Sequence, residues 1–304
     1  MINKTLYSYS YLNGMIISFL RKYFNYFKLL AVFIVLFFYT TLNGENYPKR
    51  IVSLAPSVTK NLYSLGAESS VVGITIYCQK GKTAKEVIGT MLEPSIEKIV
   101  TLKPDLAIAT KEGNPKALVE KIRSVGIDVL VIENDDTFES ICDNFLIIAK
   151  HIGKKDKSKE IINNTKSYMQ SIQKKLENVE KPSIFWEIDD KPLITTGKNS
   201  FINDFNKFTH SSNIFDDLMG RFPRVSWEEV VKRDPDIIVI AVMTNGEKIK
   251  NRYETEFRHL KAVKNNRIHV INELDIFTPT PETFKKGVKI LSQIAHPEVF
   301  NENK

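Results

Sequence analysis

The sequence predicts an α/β protein made of two α/β lobes joined by one long helix. Three observations lead there. A short element occurs twice, as SIEKIVTLKPDLAIA from Ser95 and SWEEVVKRDPDIIVI from Ser226, at a constant offset of 131 residues. Strand-like and helix-like segments alternate within each half, which builds a largely parallel sheet with helices on its faces. Between the halves runs an amphipathic stretch without glycine or proline.

The first lobe is read over residues 49–150. RIVSLA (Arg50–Ala55) is a short apolar strand, and Pro56-Ser57 opens a helix that runs through Leu62 and Leu65 to a stop at Gly66. VVGIT (Val71–Thr75) follows as a strand. Ser95 is a helix N-cap, Ile96, Ile99, Val100 and Leu102 form the apolar stripe, and Pro104 ends that helix before Asp105 leads into the buried strand LAIA. A helix is expected over Asn114–Val125, stopped by Gly126, and IDVLVI is the next strand.

Residues 151–181 read as the linking helix, because Ile161, Thr165, Tyr168, Ile172, Leu176 and Val179 recur every three or four positions among charged side chains. The strand–helix pattern restarts after Pro182, giving a second lobe over residues 182–300. It contains SIFWEI, LITTG, a helix around Asn203–Phe208, the second copy of the repeat, the buried strands DIIVIA (Asp236–Ala241) and RIHVI (Arg267–Ile271), and a closing helix over Glu282–Ala295.

Residues 1–44 have a different character. The apolar run LLAVFIVLFFY (Leu29–Tyr39) follows Arg21, Lys22 and Lys28 and precedes the polar TTLNGENYP, the pattern of an export signal. The run is shorter than the roughly 20 apolar residues of a membrane-spanning helix. Met15–Leu20 adds apolar length, so a retained N-terminal anchor is the alternative, and Met15 is an alternative start. This segment holds Lys4, Arg21, Lys22, Lys28 and no acid, so the net charge of +7 falls to +3 over the rest of the chain. A body so nearly balanced offers no phosphate-binding surface, and nucleic acid is not an expected partner. Cys78 and Cys142 permit either one disulfide or two unpaired thiols. No zinc-type spacing, no P-loop, no dinucleotide fingerprint and no nucleophile elbow occurs, so no catalytic residues, bound cofactor or protein-held metal are expected.

In each copy of the repeat, Glu97 or Glu228 lies in the first helical turn, where a carboxylate is favoured by the helix dipole. Beyond that local role, two equivalent acidic knobs suit a partner with two equivalent basic sockets, as a homodimer presents.

At RIVSLAPSVTKNLYSLGAESSVVG (Arg50–Gly73), IEKIVTLKPDL and the spanning helix, the chain resembles the helical-backbone substrate-binding proteins of ABC importers, which deliver vitamin B12, ferric siderophores or haem. The resemblance covers residues 49–297 and is nearest to the cobalamin-binding members. It implies two Rossmann-like α/β lobes joined by a single long backbone helix, a ligand cleft between them, and a membrane permease dimer as partner. It places Glu97 and Glu228 as the groups that dock onto permease arginines. It also implies a cleft lined by Tyr77 and Met91 from the first lobe, and by Phe222, Asp275, Phe277, Trp186 and Glu187 from the second.

The aromatic side chains suit the flat face of a corrinoid or porphyrin, although Met91 and Phe222 stand where the cobalamin binders are expected to have tryptophan. For an anionic siderophore, Arg221, Arg224, Lys80 and Lys82 are the candidate cations. For haem, Tyr77 is the candidate axial ligand, with His210 expected to pack near Asn213 and Cys78 beside Tyr77 as a thiol alternative. The implied protein is exported, periplasmic or attached to the outer face of the cytoplasmic membrane, and performs no covalent chemistry. An exported enzyme or a membrane-tethered sensor on the same scaffold are the alternatives from other classes.

Overall fold

The computed structural model describes residues 47–242, 245–271 and 277–300, together with Tyr23, Phe24, Tyr26, Lys28, Val32 and Phe33. The chain divides into two compact units, Met1–Asn46 and Tyr47–Lys304. In the first, the six described residues are helical and exposed. Most of the apolar run Leu29–Tyr39 lies outside the described residues, and no described helix is long and apolar enough to cross a membrane.

The second unit holds both lobes. In the first lobe the strands are β1 (Ile51–Ser53), β2 (Val71–Ile74), β3 (Glu86–Val87), β4 (Leu106–Thr110) and β5 (Val129–Ile132). They form a parallel sheet in the order β3-β2-β1-β4-β5. Its helices are α1 (Pro56–Ser64), α2 (Ile96–Thr101), α3 (Lys116–Ser124) and α4 (Phe138–His151), and α5 (Lys155–Lys175) carries the chain onward.

The second lobe follows with β6 (Ser183–Glu187), β7 (Asp189–Asp190), β8 (Leu193–Ile194), α6 (Ile202–Phe208), β9 (Ser212–Asn213), α7 (Trp227–Arg233) and β10 (Ile237–Ile240). It closes with α8 (Gly246–Glu256), α9 (Lys261–Lys264), β11 (Ile268–Val270), α10 (Pro281–Ala295) and α11 (Pro297–Phe300). The order β11-β10-β6-β9 is again parallel, with β7 and β8 forming a small antiparallel hairpin beside it.

Central strands buried on both faces read as near-continuous apolar runs, as β10 (IIVI) and the first four residues of β4 (LAIA, before Thr110) do. Alternate residues serve opposite faces. Ile184, Trp186, Ile237 and Val239 join one core cluster of the second lobe, while Phe185, Ile238 and Ile240 join the other.

The repeated element has a structural role that its spacing alone did not disclose. In each copy the serine hydroxyl caps the helix, Ser95 Oγ accepting from Lys98 N at 3.2 Å and Ser226 Oγ from Glu229 N at 3.3 Å. Lys103 and Asp234 then turn out of the helix with φ of 45° and 41°, and a proline follows. The next residue ties the lobe's first strand to its neighbour. Asp105 Oδ2 accepts from Lys49 N at 2.7 Å and Arg50 N at 2.9 Å, just before β1. Asp236 Oδ2 accepts from Ser183 N at 2.9 Å and Ser183 Oγ at 2.7 Å, at the start of β6.

Two connections differ from expectation. The linking helix spans Lys155–Lys175 rather than residues 151–181. At its start Gly153 takes φ +70 with the Tyr47 ring against it, a position no side chain could share, so α4 and α5 are separate helices. At its end the chain turns at Leu176, which is fully buried in the second lobe's core. The helix α4, absent from the sequence reading, straddles both lobes. Phe138, Ile141 and Cys142 pack into the core of the second, whereas Phe145, Ile148 and Ala149 pack into the first.

The N-terminus of α4 is fixed from across the lobe boundary, Phe138 N donating to Asp204 Oδ2 at 2.8 Å. The Phe138 ring lies 4.7 Å from that of Phe284 in α10. Each such ring pair adds about 0.5–1.5 kcal/mol beyond burial, so the lobes are joined by more than the linking helix. Both cysteines are unpaired and buried, Cys78 in a first-lobe cluster and Cys142 in the cluster shared with the second. Cys78 Sγ lies 3.1 Å from Thr75 Oγ1 and is only 7% exposed, so it is a core thiol and not a cleft ligand.

Candidate functional site: a cleft between the lobes

In parallel α/β sheets, ligands bind beyond the carboxyl ends of the strands. Those ends carry the loops that meet between the lobes here. A cavity of about 320 Å³ lies there, lined by Glu112 from the first lobe and by Ile188, Phe201, Arg221, Phe222, Ala241, Phe277 and Pro279 from the second. Glu112 follows β4, Ile188 follows β6 and Ala241 follows β10, so three strands deliver a wall residue as they end. Phe222, 37% exposed, meets Phe277 edge-on with ring centroids 6.2 Å apart, giving the cavity an aromatic corner.

The loop that carries Phe222 is held by backbone pairing. Thr195 N, Gly197 N, Lys198 N and Asn199 N donate to the carbonyls of Pro223, Arg221, Leu218 and Gly220 at 2.8–3.1 Å. That approach requires glycine at 197, since a Cβ there would meet Gly220 O at 2.5 Å and Leu218 O at 2.9 Å.

Two buried asparagines shape the facing loops of the first lobe. Asn114 Oδ1 accepts from Thr110 N at 2.8 Å, while its Nδ2 donates to Met91 O at 2.8 Å and Leu54 O at 3.2 Å, fixing the turn that carries Glu112. Asn144 Nδ2 donates to Glu133 O at 2.9 Å and Asp135 Oδ1 at 2.8 Å, fixing the loop after β5.

Arg221 spans the gap between these loops. Its Nη1 pairs with Glu112 Oε2, its Nε lies 3.2 Å from Asp136 Oδ1, and its Nη2 donates to Asp135 O at 3.2 Å. Burial pushes the Asp135 carboxyl up to about 6, against the opposing effects of the Asn144 hydrogen bond and the Arg221 charge.

The chain matches the periplasmic binding protein family model over residues 51–273. It belongs to that family. It is 30% identical over 264 residues to an uncharacterized ABC transporter substrate-binding lipoprotein, YvrC, of Bacillus subtilis, covering 84% of this chain and 82% of that one. Among solved structures, a possible iron-binding (periplasmic solute-binding) protein from Staphylococcus epidermidis superposes with a TM-score of 0.73 at 27% identity, over 82% of this chain and 99% of that one. The periplasmic vitamin B12 binding protein BtuF of Vibrio cholerae superposes with a TM-score of 0.70 at 25% identity, over 84% and 99%. A two-lobed parallel α/β architecture is thus the family's fold in this chain.

Within that family fold, the residues expected to line the cleft divide. Phe222 and Phe277 line the cavity. Tyr77 is 59% exposed on the loop after β2, at the carboxyl edge of the first sheet. Met91 is half-buried, packing beside Gly113 and against the first lobe's core, and it buttresses the Glu112 turn through its carbonyl. Arg224 is exposed one strand-step beyond Phe222, with its backbone bridged to Ile194. Asp275 lies outside the described residues.

Trp186 and Glu187 are corrections, since both are fully buried and neither reaches the cavity. The parity of β6 turns Trp186 into the shared core beside Phe205, where its Nε1 donates to Asn206 Oδ1 at 3.4 Å. Glu187 is enclosed with Arg252, whose Nη2 donates to Oε1 at 2.8 Å, and with Tyr253, whose hydroxyl donates to Oε2. Burial pushes the Glu187 carboxyl up to about 7 despite those partners.

His210 lines a separate hollow of about 360 Å³ with Lys181, Lys198, Lys207 and Asn213, beside the edge strand β9. None of that hollow's lining residues is shared with the cleft cavity. Arg221, Glu112, Asp135 and Asp136 are the cleft residues that the sequence reading missed or named only in passing. Their signal was position, each acid standing a few residues after the end of a parallel strand.

Glu97 and Glu228 are both exposed, at the N-termini of α2 and α7. Each helix runs back to the start of a parallel strand, so its N-terminus lies at the carboxyl edge of its own sheet. That is the edge that borders the cleft. A hydrogen bond from Ser226 and a backbone N–H hold the Glu228 carboxyl below its ordinary range.

Proposed function

We propose that the protein is an exported substrate-binding protein that captures a metal chelate between its lobes and hands it to an ABC permease dimer. The observation that carries this reading is the cavity lined from both lobes at the carboxyl ends of two parallel sheets. Its apolar and aromatic wall of Ile188, Phe201, Phe222 and Phe277 suits the face of a large planar ligand. The relatives' names, vitamin B12-binding and iron-binding, point to the same ligand class. A corrinoid is the first candidate, and haem or a ferric siderophore the next. Tyr77, Phe222 and Phe277 are the ligand-facing aromatics, with Arg224 and Asp275 at the rim and Met91 as a support.

Glu97 and Glu228 are the permease-docking pair. They sit in equivalent positions on the two lobes, exposed and beside the cleft, where two carboxylates can engage two equivalent basic sites. The protein would then act outside the cytoplasmic membrane, in the periplasm or held to the membrane's outer face.

The test is calorimetric titration with cyanocobalamin, cobinamide, haemin and ferric siderophores. Intrinsic fluorescence is the poorer probe, because Trp186 is sealed in the core and Trp227 is stacked on Phe257. One-to-one binding of a single class supports the reading, and silence across the panel rejects it. The Glu97→Gln/Glu228→Gln double variant should bind ligand as the wild type does and lose delivery to the permease in transport assays. Equal loss of ligand affinity would remove the docking assignment.

A further inference from the structure

Arg221 is the one cation among the described residues lining the cleft cavity, and its side chain is only 18% exposed. It enters from the second lobe, its guanidinium 5.7 Å from the centroid of the Phe222 ring, and its charged and hydrogen-bonding partners are first-lobe groups: Glu112, Asp136 and the carbonyl of Asp135. The Asp135 carboxyl also lies within its field. Three carboxylates therefore surround one guanidinium at the cleft.

The backbone that carries these groups is braced on both sides. Asn114 holds the Glu112 turn, Asn144 holds the Asp135–Asp136 loop, and the pairing across Gly197 holds Arg221. Arg221 Nε, Arg221 Nη1 and Asp136 Oδ1 are buried at ion-pair distance without hydrogen-bond geometry, so charge balance and not directional bonding unites them.

We propose that this cluster is a specificity determinant of the cleft: Glu112 and Asp136 neutralise Arg221, and their excess charge makes the cleft admit uncharged or cationic chelates and turn away polyanionic ones. The inference rests on the reading of the cleft as the ligand site. An anionic ligand cannot recruit Arg221 without displacing carboxylates that already pair with it. Screening does not remove the conflict, because the Debye length of about 8 Å at physiological salt exceeds the separations within the cluster.

Shape-matched pairs of probes isolate charge. Cyanocobalamin is compared with its side-amide-hydrolysed carboxylates, and haemin dimethyl ester with haemin, by calorimetry on the purified protein and on Glu112→Gln/Asp136→Asn. In the wild type the ester or amide member of a pair should bind about tenfold tighter than its carboxylate, and the double variant should narrow that gap to about threefold or less. Glu112→Gln alone, at a half-exposed position, should narrow it in part and serves if the double variant folds poorly. Equal affinities within a pair for the wild type, or an unchanged gap in the variants, overturn the inference. If the uncharged probe binds and the gap fails to move, charge selection alone is lost. If neither pair binds the wild type, the inference is overturned, and the cleft reading then stands or falls on the ferric siderophores of the wider panel.

Discussion

In the first lobe, Ser95 caps a six-residue helix, Lys103 turns the chain out of it and Asp105 ties the start of β1. In the second, Ser226, Asp234 and Asp236 do the same for a seven-residue helix and β6. The two lobes share this frame and then diverge where they face one another. The first offers Glu112, Asp135, Asp136 and the exposed Tyr77, whereas the second offers Ile188, Phe201, Phe222, Phe277 and one arginine. Backbone geometry fixes the frame, since a cap, a left-handed exit and a strand tie each need particular residues at particular spacings. Loops beyond the strand ends carry no such constraint, and the asymmetry of the cleft resides there.

The largest expected effect tests whether Trp186 belongs to the core or the cleft. Trp186→Ala should destabilise the protein by about 3–5 kcal/mol in chemical denaturation followed by circular dichroism. Trp186→Phe should leave ligand affinity unchanged, and a fall in affinity without a fall in stability would return the residue to the cleft.

The strand ties come next. Asp236→Ala should cost about 2 kcal/mol and Asp105→Ala about 1 kcal/mol, because Asp236 is half-buried and also holds the Ser183 hydroxyl, whereas Asp105 is exposed. Equal losses would show that burial does not separate the two copies.

Each lobe holds a carboxyl pushed up by burial, Asp135 at the cleft and Glu187 in the second lobe's interior, and Glu187 gives the cleaner pH signature because it lies away from the cavity. Its carboxyl is pushed from the ordinary 4.5 to about 7 by burial. The folded state therefore holds this proton more tightly than the unfolded chain, and the group's contribution to stability falls as pH rises from about 4.5 to about 7. Thermal melts of Glu187→Gln across that window should lack this part of the wild-type decline. An identical pH dependence in the two proteins would show that Glu187 is ionised when folded.

The smallest effect should be the most symmetric. Ser95→Ala and Ser226→Ala should each cost about 1 kcal/mol, because each removes one N-cap acceptor of similar geometry. A clearly larger loss at Ser226 would show that its additional hydrogen bond to Glu228 contributes to stability.

The sequence by itself determined the parts governed by local chemistry and periodicity. Buried parallel strands need continuous apolar runs, hence LAIA and DIIVIA. Helix starts and stops need Ser95, Ser226, Pro104 and Pro235. A repeat at constant offset required two lobes of one plan, and the family motifs placed Phe222 and Phe277 at the cleft. Tertiary structure alone decided which way β6 turns Trp186 and Glu187. Both read as aromatic and acidic candidates, yet a strand covered on both faces buries every side chain whichever face it serves. It also decided that α4 straddles the lobes: the Thr137–Ser140 capping box marks the helix start locally, but the tie to Asp204, 66 residues away, leaves no trace in the sequence. The meeting of Arg221 with Glu112 and Asp136 has the same origin. Charges far apart in the chain become partners only when two sheets bring their carboxyl ends together.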